Sequence, residues 1–114
     1  MKQYVDYLRD IRIELDDIRT FTRDGYEALI QNRMAEKAVI RSYEVIGEIV
    51  KRLPKEFCDA HTQIDWHVLA TFRDYLIHRY DTLDTKRIWV AVQDVGSLYQ
   101  KISTLISQLE QSDL

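Results

Sequence analysis

The stretch VIRSYEVIGEIVKRLP, residues 39–54, carries the plainest structural signal in this 114-residue chain. Its apolar side chains recur every three or four positions, so they lie along one side of an α-helix. Pro54 has no backbone N–H to continue the hydrogen-bond ladder, and we expect the helix to end before it. A glycine in the middle of a helix costs about 1 kcal/mol of stability relative to alanine. We therefore expect Gly47 to have a packing role, in which a second helix approaches closely because no side chain is in the way. The stripe consists of Val39, Tyr43, Ile46, Val50 and Leu53.

The same spacing recurs near both ends of the chain, and each stretch predicts a long amphipathic helix. A fourth helix is predicted over residues 66–79, with Leu69, Phe72 and Leu76 on its apolar side. The first stripe comprises Tyr4, Leu8, Ile11, Leu15 and Ile18. The last comprises Ile88, Val92, Val95, Tyr99, Ile102, Ile106 and Leu109, and predicts one continuous helix.

Turn and capping residues divide these helices. The Asp-Gly pair at residues 24–25 is expected to break the chain after the first helix. Asp65 is the expected N-cap of the helix over residues 66–79, and Asp84 is the expected N-cap of the last helix. Residues 26–32 predict a short extra helix, and residues 55–64 a loop or a weak helical turn.

Composition favours an all-α protein. Three glycines and one proline leave few helix breakers. The length suits a single domain spanning residues 1–114 with one core. Amphipathic helices with short joins predict an up-and-down bundle of four to five helices. The apolar stripes could also form coiled-coil seams, and the last helix is long enough to hold a partner as well as its own core.

The composition also bears on cellular setting. Cys58 is the only cysteine, which excludes an internal disulfide and fits a reducing compartment. The N-terminus does not resemble a signal peptide, and no apolar run approaches the ~20 residues of a membrane span. We therefore expect a soluble, cytoplasmic protein without a membrane partner. A net charge of -3 counts against a general nucleic-acid coat protein, although it is compatible with a local basic cleft.

The stretch RDYLIHRY, residues 73–80, carries residues suited to phosphodiester chemistry. Arg73 can hold two phosphate oxygens in a fixed fork and offset charge that grows in a transition state. His78 supplies an imidazole, a group that can take a proton from a ribose 2′-hydroxyl near neutral pH. Because RNA carries that hydroxyl as an internal nucleophile, the pair suits RNA rather than DNA and requires no metal or cofactor.

The spacing of these two residues constrains how they can act together. Five residues along an ideal helix correspond to about 140° around its axis, so Arg73 and His78 do not share a face. Either the helix frays near His78, or two chains bring their motifs together across a dimer cleft. We favour the dimer, helped by fraying.

Other site types find little support in the sequence. A di-metal helical bundle needs Glu-x-x-His pairs, and no Glu in the chain is followed by His three positions later. There is no Cys/His set for zinc and no glycine-rich phosphate loop. We therefore expect neither a metal site nor a cofactor.

Several stretches together resemble one known family. The motif at residues 73–80 resembles the signature of HEPN-superfamily toxins of the HepT type. YEVIGEIVK at residues 43–51 resembles the family's helix with its Gly-Glu pair, IDW at 64–66 the entry to the motif helix, and DTKRIW at 84–89 the start of the last helix. These matches follow the family order, span about residues 4–109, and are specific in combination.

The resemblance implies a HEPN-like helical domain that pairs into a homodimer and acts as a metal-independent endoribonuclease on cellular RNA, including tRNA in some members. It further implies a toxin of a type VII-like toxin–antitoxin pair, encoded beside a minimal nucleotidyltransferase antitoxin that transfers AMP to the motif tyrosine. Carried over to this sequence, Arg73 and His78 would be catalytic, and Tyr80 would be the AMPylation site.

Three neighbouring residues are candidates for supporting roles. The family often has Asn where this chain has Asp74, whose charge would repel a phosphate unless the side chain turns inward to orient Arg73 or His78. Glu48, beside Gly47, could pair with Arg73 or steer His78, or could form only a local salt bridge. Arg79 is a candidate for RNA contact.

A second function belongs to a different class. The chain could be a non-catalytic helical dimer that serves as scaffold and substrate for a nucleotidyltransferase. Asp74 and the acidic net charge favour this alternative. Cleavage of tRNA in EDTA that depends on His78 would distinguish the nuclease from the scaffold.

Overall fold

Helices make up all the regular secondary structure of residues 2–112, the part of the chain that this computed structural model describes. Seven helical segments follow one another with short connections. Their bounds are α1 Tyr4–Thr22, α2 Tyr26–Ile30, α3 Arg33–Arg52, α4 Lys55–Ala60, α5 Trp66–His78, α6 Thr85–Gln93 and α7 Val95–Ser112. α1, α3 and α5 match three of the four helices predicted from the apolar stripes, and α6 and α7 together cover the fourth.

The predicted helix boundaries are confirmed. α3 ends at Arg52, because Leu53 adopts an extended conformation before Pro54. The Asp65 carboxylate accepts a hydrogen bond from the Val68 N–H at 3.2 Å and caps α5. Asp84 caps α6 in the same way, through the Lys86 N–H at 3.0 Å.

The turn between α1 and α2 depends on a glycine. Gly25 has a φ of 94°, a left-handed conformation that side chains rarely adopt. This turn confirms the predicted break after the first helix, and the predicted short helix follows it as α2. The 55–64 stretch contains one short helix, α4, and a loop.

The prediction of one continuous last helix is wrong. Asp94 separates α6 from α7, and its N–H bonds to the Ala91 carbonyl, three residues back, at 3.0 Å. The φ and ψ of Asp94, −91° and −2°, stay on the right-handed side, so the apolar stripe remains in phase across the break. Ile88, Val95, Ile102 and Ile106 are accordingly all buried. A regular stripe therefore does not reveal an interruption of a single residue.

The central helix is α3, which packs on α1 along one side and on α5 along another, while α1 also packs on α7. Eight residues of α3 are buried, but α5 buries only Trp66 and Leu76. α5 is therefore a peripheral helix, held mainly by α3, with much of its outer surface open. Among the helices described, none has the length and apolar character needed to cross a bilayer.

Candidate active site

The contact between α3 and α5 is made at Gly47 and Arg73. A Cβ atom added to Gly47 would lie 2.1 Å from the Arg73 Cβ and 3.0 Å from the Leu69 carbonyl oxygen. No side chain larger than hydrogen fits there without moving a helix. The prediction of close helix approach at Gly47 is thus confirmed, and the group that fills the space is the stem of the motif arginine.

The Arg73 guanidinium extends from this seam to the surface. Its side chain is 25% exposed, and its Nη1 donates to the Asp74 Oδ1 at 3.1 Å. Its Nη2 lies 3.9 Å from the Glu48 Oε1. The buried Nε has no hydrogen-bond partner among the described residues. The stem is therefore fixed by packing, and the charged end is oriented by carboxylates on two sides.

Asp74 is turned towards basic groups. Besides Arg73, it contacts the Lys51 ammonium on α3. The hydrogen bond from Lys51, and secondarily that from Arg73, hold the pKa of the Asp74 carboxyl below its usual value of 3.8. Of the two orientations considered from sequence, the structure shows the one in which Asp74 contacts Arg73.

Glu48 also bridges two basic groups. Its Oε1 lies 3.7 Å from Arg41 on one side and 3.9 Å from Arg73 on the other. Charges of opposite sign thus alternate along the α3–α5 seam. Exposed pairs of this kind contribute little stability singly, so their main physical effect is on side-chain orientation.

His78 lies at the other end of the motif, in open surroundings. It is the last residue of α5 and is exposed. The Arg79 N–H still bonds to the Tyr75 carbonyl at 3.0 Å, and irregular backbone begins at Arg79. The fraying expected near His78 therefore starts one residue after it, and the imidazole keeps its helical position.

Arg73 and His78 consequently remain on different faces of α5. Helical geometry separates them by about 140° around the axis and about 7.5 Å along it. Arg73 faces α3, whereas His78 lies on the exposed side. A single α5 helix does not present both groups on one face.

Arg79 and Tyr80 follow in the turn after α5, and both are exposed. Tyr80 is 80% exposed. The turn is closed by the Thr82 N–H bonding to the Arg79 carbonyl at 2.9 Å. Tyr80 thus lies beyond the end of α5, as the predicted helix over residues 66–79 implies, and its ring is accessible.

Two residues of this region were missed by the sequence analysis. Lys51 holds Asp74, and its position one turn after Gly47 on α3 was the available signal. Tyr75 ties the 79–84 turn back to α5, because its hydroxyl accepts a hydrogen bond from the Asp84 N–H at 3.3 Å. Its ring also lies 4.0 Å from the Arg87 guanidinium carbon.

Within residues 2–112, no three His, Cys, Asp or Glu side chains cluster as metal ligands would. The ionic groups of the site are instead the guanidinium, the ammonium and the carboxylates described above. Such a set can bind and orient an anion, and the exposed His78 imidazole on another face of the same helix can exchange a proton.

Comparison with known proteins places the chain in a family. It matches the model of the ribonuclease HepT-like family over residues 11–106. It is 37% identical over 106 residues to the "Probable ribonuclease HepT" of Thermococcus cleftensis, covering 91% of this chain and 96% of that protein. It is also 37% identical over 109 residues to a "Putative RNase" of Methanocaldococcus jannaschii, covering 94% of this chain and 90% of that protein. No solved structure matches. The chain therefore belongs to the HepT-like ribonuclease family.

Proposed function

We propose that this protein is the toxin of a toxin–antitoxin pair and an endoribonuclease that cleaves cellular RNA, tRNA included, in the cytoplasm. Residues 1–114 would form one HEPN-like domain. The observation that carries the proposal is that one helix of a HepT-like chain bears both an oriented, surface-reaching Arg73 and, on another face, an exposed His78. The ribonuclease names of two relatives support it.

In the proposed reaction, the His78 imidazole takes the proton of a ribose 2′-hydroxyl. The 2′-oxygen attacks the adjacent phosphorus while Arg73 holds the phosphoryl oxygens and offsets their charge. The bond from phosphorus to the 5′-oxygen breaks, and that oxygen receives a proton from a second His78 or from water. The products are a 2′,3′-cyclic phosphate and a 5′-hydroxyl. No step requires a metal ion.

The proposed active unit is a homodimer. The two catalytic groups lie on different faces of α5, so a twofold pairing that brings two α5 helices together supplies Arg73 from one chain and His78 from the other. Arg79, exposed next to His78, would contact the RNA backbone. Glu48 and Asp74 would act as positioning residues through Arg73.

Tyr80 is the proposed point of regulation by a minimal nucleotidyltransferase antitoxin. Its ring is accessible to a second enzyme because it lies in the turn after α5. An adenylyl group on its hydroxyl would add bulk and negative charge two residues from His78, and would repel RNA phosphates. Co-expression of Tyr80→Phe protein with the partner, followed by mass spectrometry, tests this. Undiminished adenylylation of the variant would refute the assignment.

The nuclease itself is tested by incubating unmodified protein with tRNA in EDTA and resolving the products on a gel. Cleavage by the parent and none by His78→Ala protein is the expected result, with both proteins equally helical by circular dichroism. Equal cleavage by both proteins would refute the role of His78. Adenylylation without any cleavage would favour the non-catalytic scaffold instead.

A further inference from the structure

A groove runs between α5 and the α6–α7 arm, on a different side of α5 from the α3 seam. Its cavity volume is about 600 Å³, within the range of sites for small ligands. The groove exists because α5 packs on α3 and makes little contact with α6 or α7. Its two walls are mainly apolar. The apolar lining consists of Val68, Leu69 and Phe72 from α5, Val90 and Ala91 from α6, and Leu98 from α7.

The floor of the groove includes a buried hydroxyl that has no partner. Tyr43 lines the groove and is only 3% exposed, and its hydroxyl makes no hydrogen bond within the described residues. Burial raises the pKa of the Tyr43 hydroxyl, and the negative charge of Asp94 raises it further, so the hydroxyl keeps its proton. Asp94 lines the same groove. A buried donor without an acceptor is destabilising, and a ligand acceptor would relieve it.

The rims of the groove are apolar and open, and charged side chains also line it. Val68 on one rim is 54% exposed and Val90 on the other is 62% exposed. Two basic side chains line it, Arg87 in the first turn of α6 and Lys101 on α7. Two acidic side chains, Asp65 before α5 and Asp94 between α6 and α7, also line it. An apolar slot with a polar floor and charged side chains of both signs is therefore open to solvent.

The groove is also aligned with the proposed catalytic histidine. Thr71 lines it and lies seven residues before His78. That separation is two helical turns, about 10 Å along the axis, with only about 20° of rotation. A strand whose phosphate lies at His78 can therefore follow the same face of α5 to the groove.

We propose that this groove receives one unstacked nucleobase of the RNA strand that is cut at His78; this deepens, and rests on, the proposed function. A base has flat apolar faces and a polar edge with acceptors and donors, and RNA is commonly recognised by such splayed bases. The walls contact its faces, Tyr43 donates to an acceptor on its edge, and Asp94 accepts from an N–H. Arg87 and Lys101 attract the flanking phosphates. A purely apolar side chain in the groove would leave the buried Tyr43 hydroxyl without an acceptor.

The test uses a short single-stranded RNA that the parent protein binds. Each of its nucleotides is replaced in turn by an abasic ribose, and equilibrium binding and cleavage rates are measured for every RNA. One position should respond by about tenfold or more, because base stacking and a hydrogen bond are lost together.

Two substitutions test whether the base at the responsive position binds in the groove. Tyr43→Phe keeps the ring and removes only the hydroxyl, so discrimination among the four bases at the responsive position should fall about three- to tenfold. Val90→Glu places a negative charge on the rim and should weaken binding of the complete RNA while leaving the abasic RNA almost unchanged. Met34→Glu is the control, because Met34 is exposed on a helix and does not line the groove.

The possible outcomes separate this inference from the proposed function. Cleavage of RNA with no base-dependent position, or with Tyr43→Phe and Val90→Glu behaving as the parent does, overturns the groove and leaves the nuclease. Base-dependent binding that Val90→Glu abolishes, without cleavage by any protein, overturns the nuclease and supports the groove. If Val90→Glu alone changes the mass of the protein in analytical ultracentrifugation, the groove is an interface between chains, and the inference is wrong.

Discussion

The two ends of the motif on α5 lie in opposite environments. At its start, Arg73 is packed against Gly47 so closely that a methyl group cannot be added, and its guanidinium is oriented by Glu48 and Asp74. At its end, His78 is exposed, and Tyr80 lies beyond the helix. The scaffold therefore fixes the proposed anion-binding group and leaves the proposed proton-transfer group and the proposed modification site accessible to other molecules.

The two ends of the motif therefore suit different roles in the proposed reaction. A guanidinium must be oriented in advance to stabilise developing charge, and packing in the α3–α5 seam does this before any ligand arrives. In the proposed mechanism, the imidazole and the phenol must meet partners from outside the chain, such as RNA, a second subunit or a modifying enzyme. Substitutions at the two ends should consequently differ in their effect on stability, even where they have the same effect on activity.

The largest effect is expected from truncating the two catalytic candidates. Arg73→Ala and His78→Ala should each lower the rate of RNA cleavage by about 10²–10⁴-fold. Only Arg73→Ala should also lower the free energy of unfolding, by about 1–2 kcal/mol, because its packed stem is lost. His78→Ala should leave that free energy within about 0.5 kcal/mol of the parent. Urea denaturation measures both, and equal losses of stability would contradict the contrast between the two ends.

A smaller effect is expected from filling the seam. Gly47→Ala should destabilise the fold by about 1–3 kcal/mol, because its Cβ overlaps the Arg73 side chain and α5 must move. Gly96→Ala on α7 is the matched control, since its nearest neighbour would be the Arg19 Nη2 at 3.6 Å. That control should be neutral or up to about 1 kcal/mol stabilising.

The rate of RNA cleavage by the Gly47→Ala protein tests whether the same seam positions Arg73. Movement of α5 should lower the rate through misplacement of Arg73, and the loss should persist at a temperature where the variant is fully folded. If Gly47→Ala is as stable and as active as Gly96→Ala, the seam does not position Arg73.

The smallest effect concerns acid stability. The pKa of the Asp74 carboxyl is lower in the folded protein than its usual value of 3.8. The ionised carboxylate therefore stabilises the fold above about pH 3.8, and this stabilisation is lost as the pH falls through the lower pKa of the folded state. The Asp74→Asn protein should therefore unfold at lower urea concentration than the parent at pH 7, and this gap should narrow as the pH falls below 3.8. A gap that widens in acid would show that the assigned direction is wrong.

Much of the fold could be predicted from sequence because it is encoded locally. The stripe from Val39 to Leu53 is buried throughout, and Pro54, Gly25 and the two aspartate caps set the boundaries as expected. The break at Asp94 could not be predicted, since the apolar spacing continues through it. In each case the pattern depends on residues close together in the chain.

The site could be predicted only in part, for a related reason. The motif predicts Arg73 and His78 as catalytic residues, and those roles stay predictions. The Lys51–Asp74 contact could not be predicted, because it depends on which side chains meet between two helices. The groove at Tyr43 depends on the distance between α5 and the α6–α7 arm, which no local pattern reports. Hydrogen-bond partners and cavities arise from packing, whereas helix ends arise from neighbouring residues.

The most direct test of the composite site is complementation between two inactive chains. Arg73→Ala and His78→Ala chains are co-expressed with different tags, and mixed dimers are purified by both tags in turn. One site of each mixed dimer would contain an intact Arg73 from one chain and an intact His78 from the other. Such dimers should cleave RNA at about half the parental rate, while each pure variant stays inactive. Mixed dimers that form but remain as inactive as the pure variants would contradict the account.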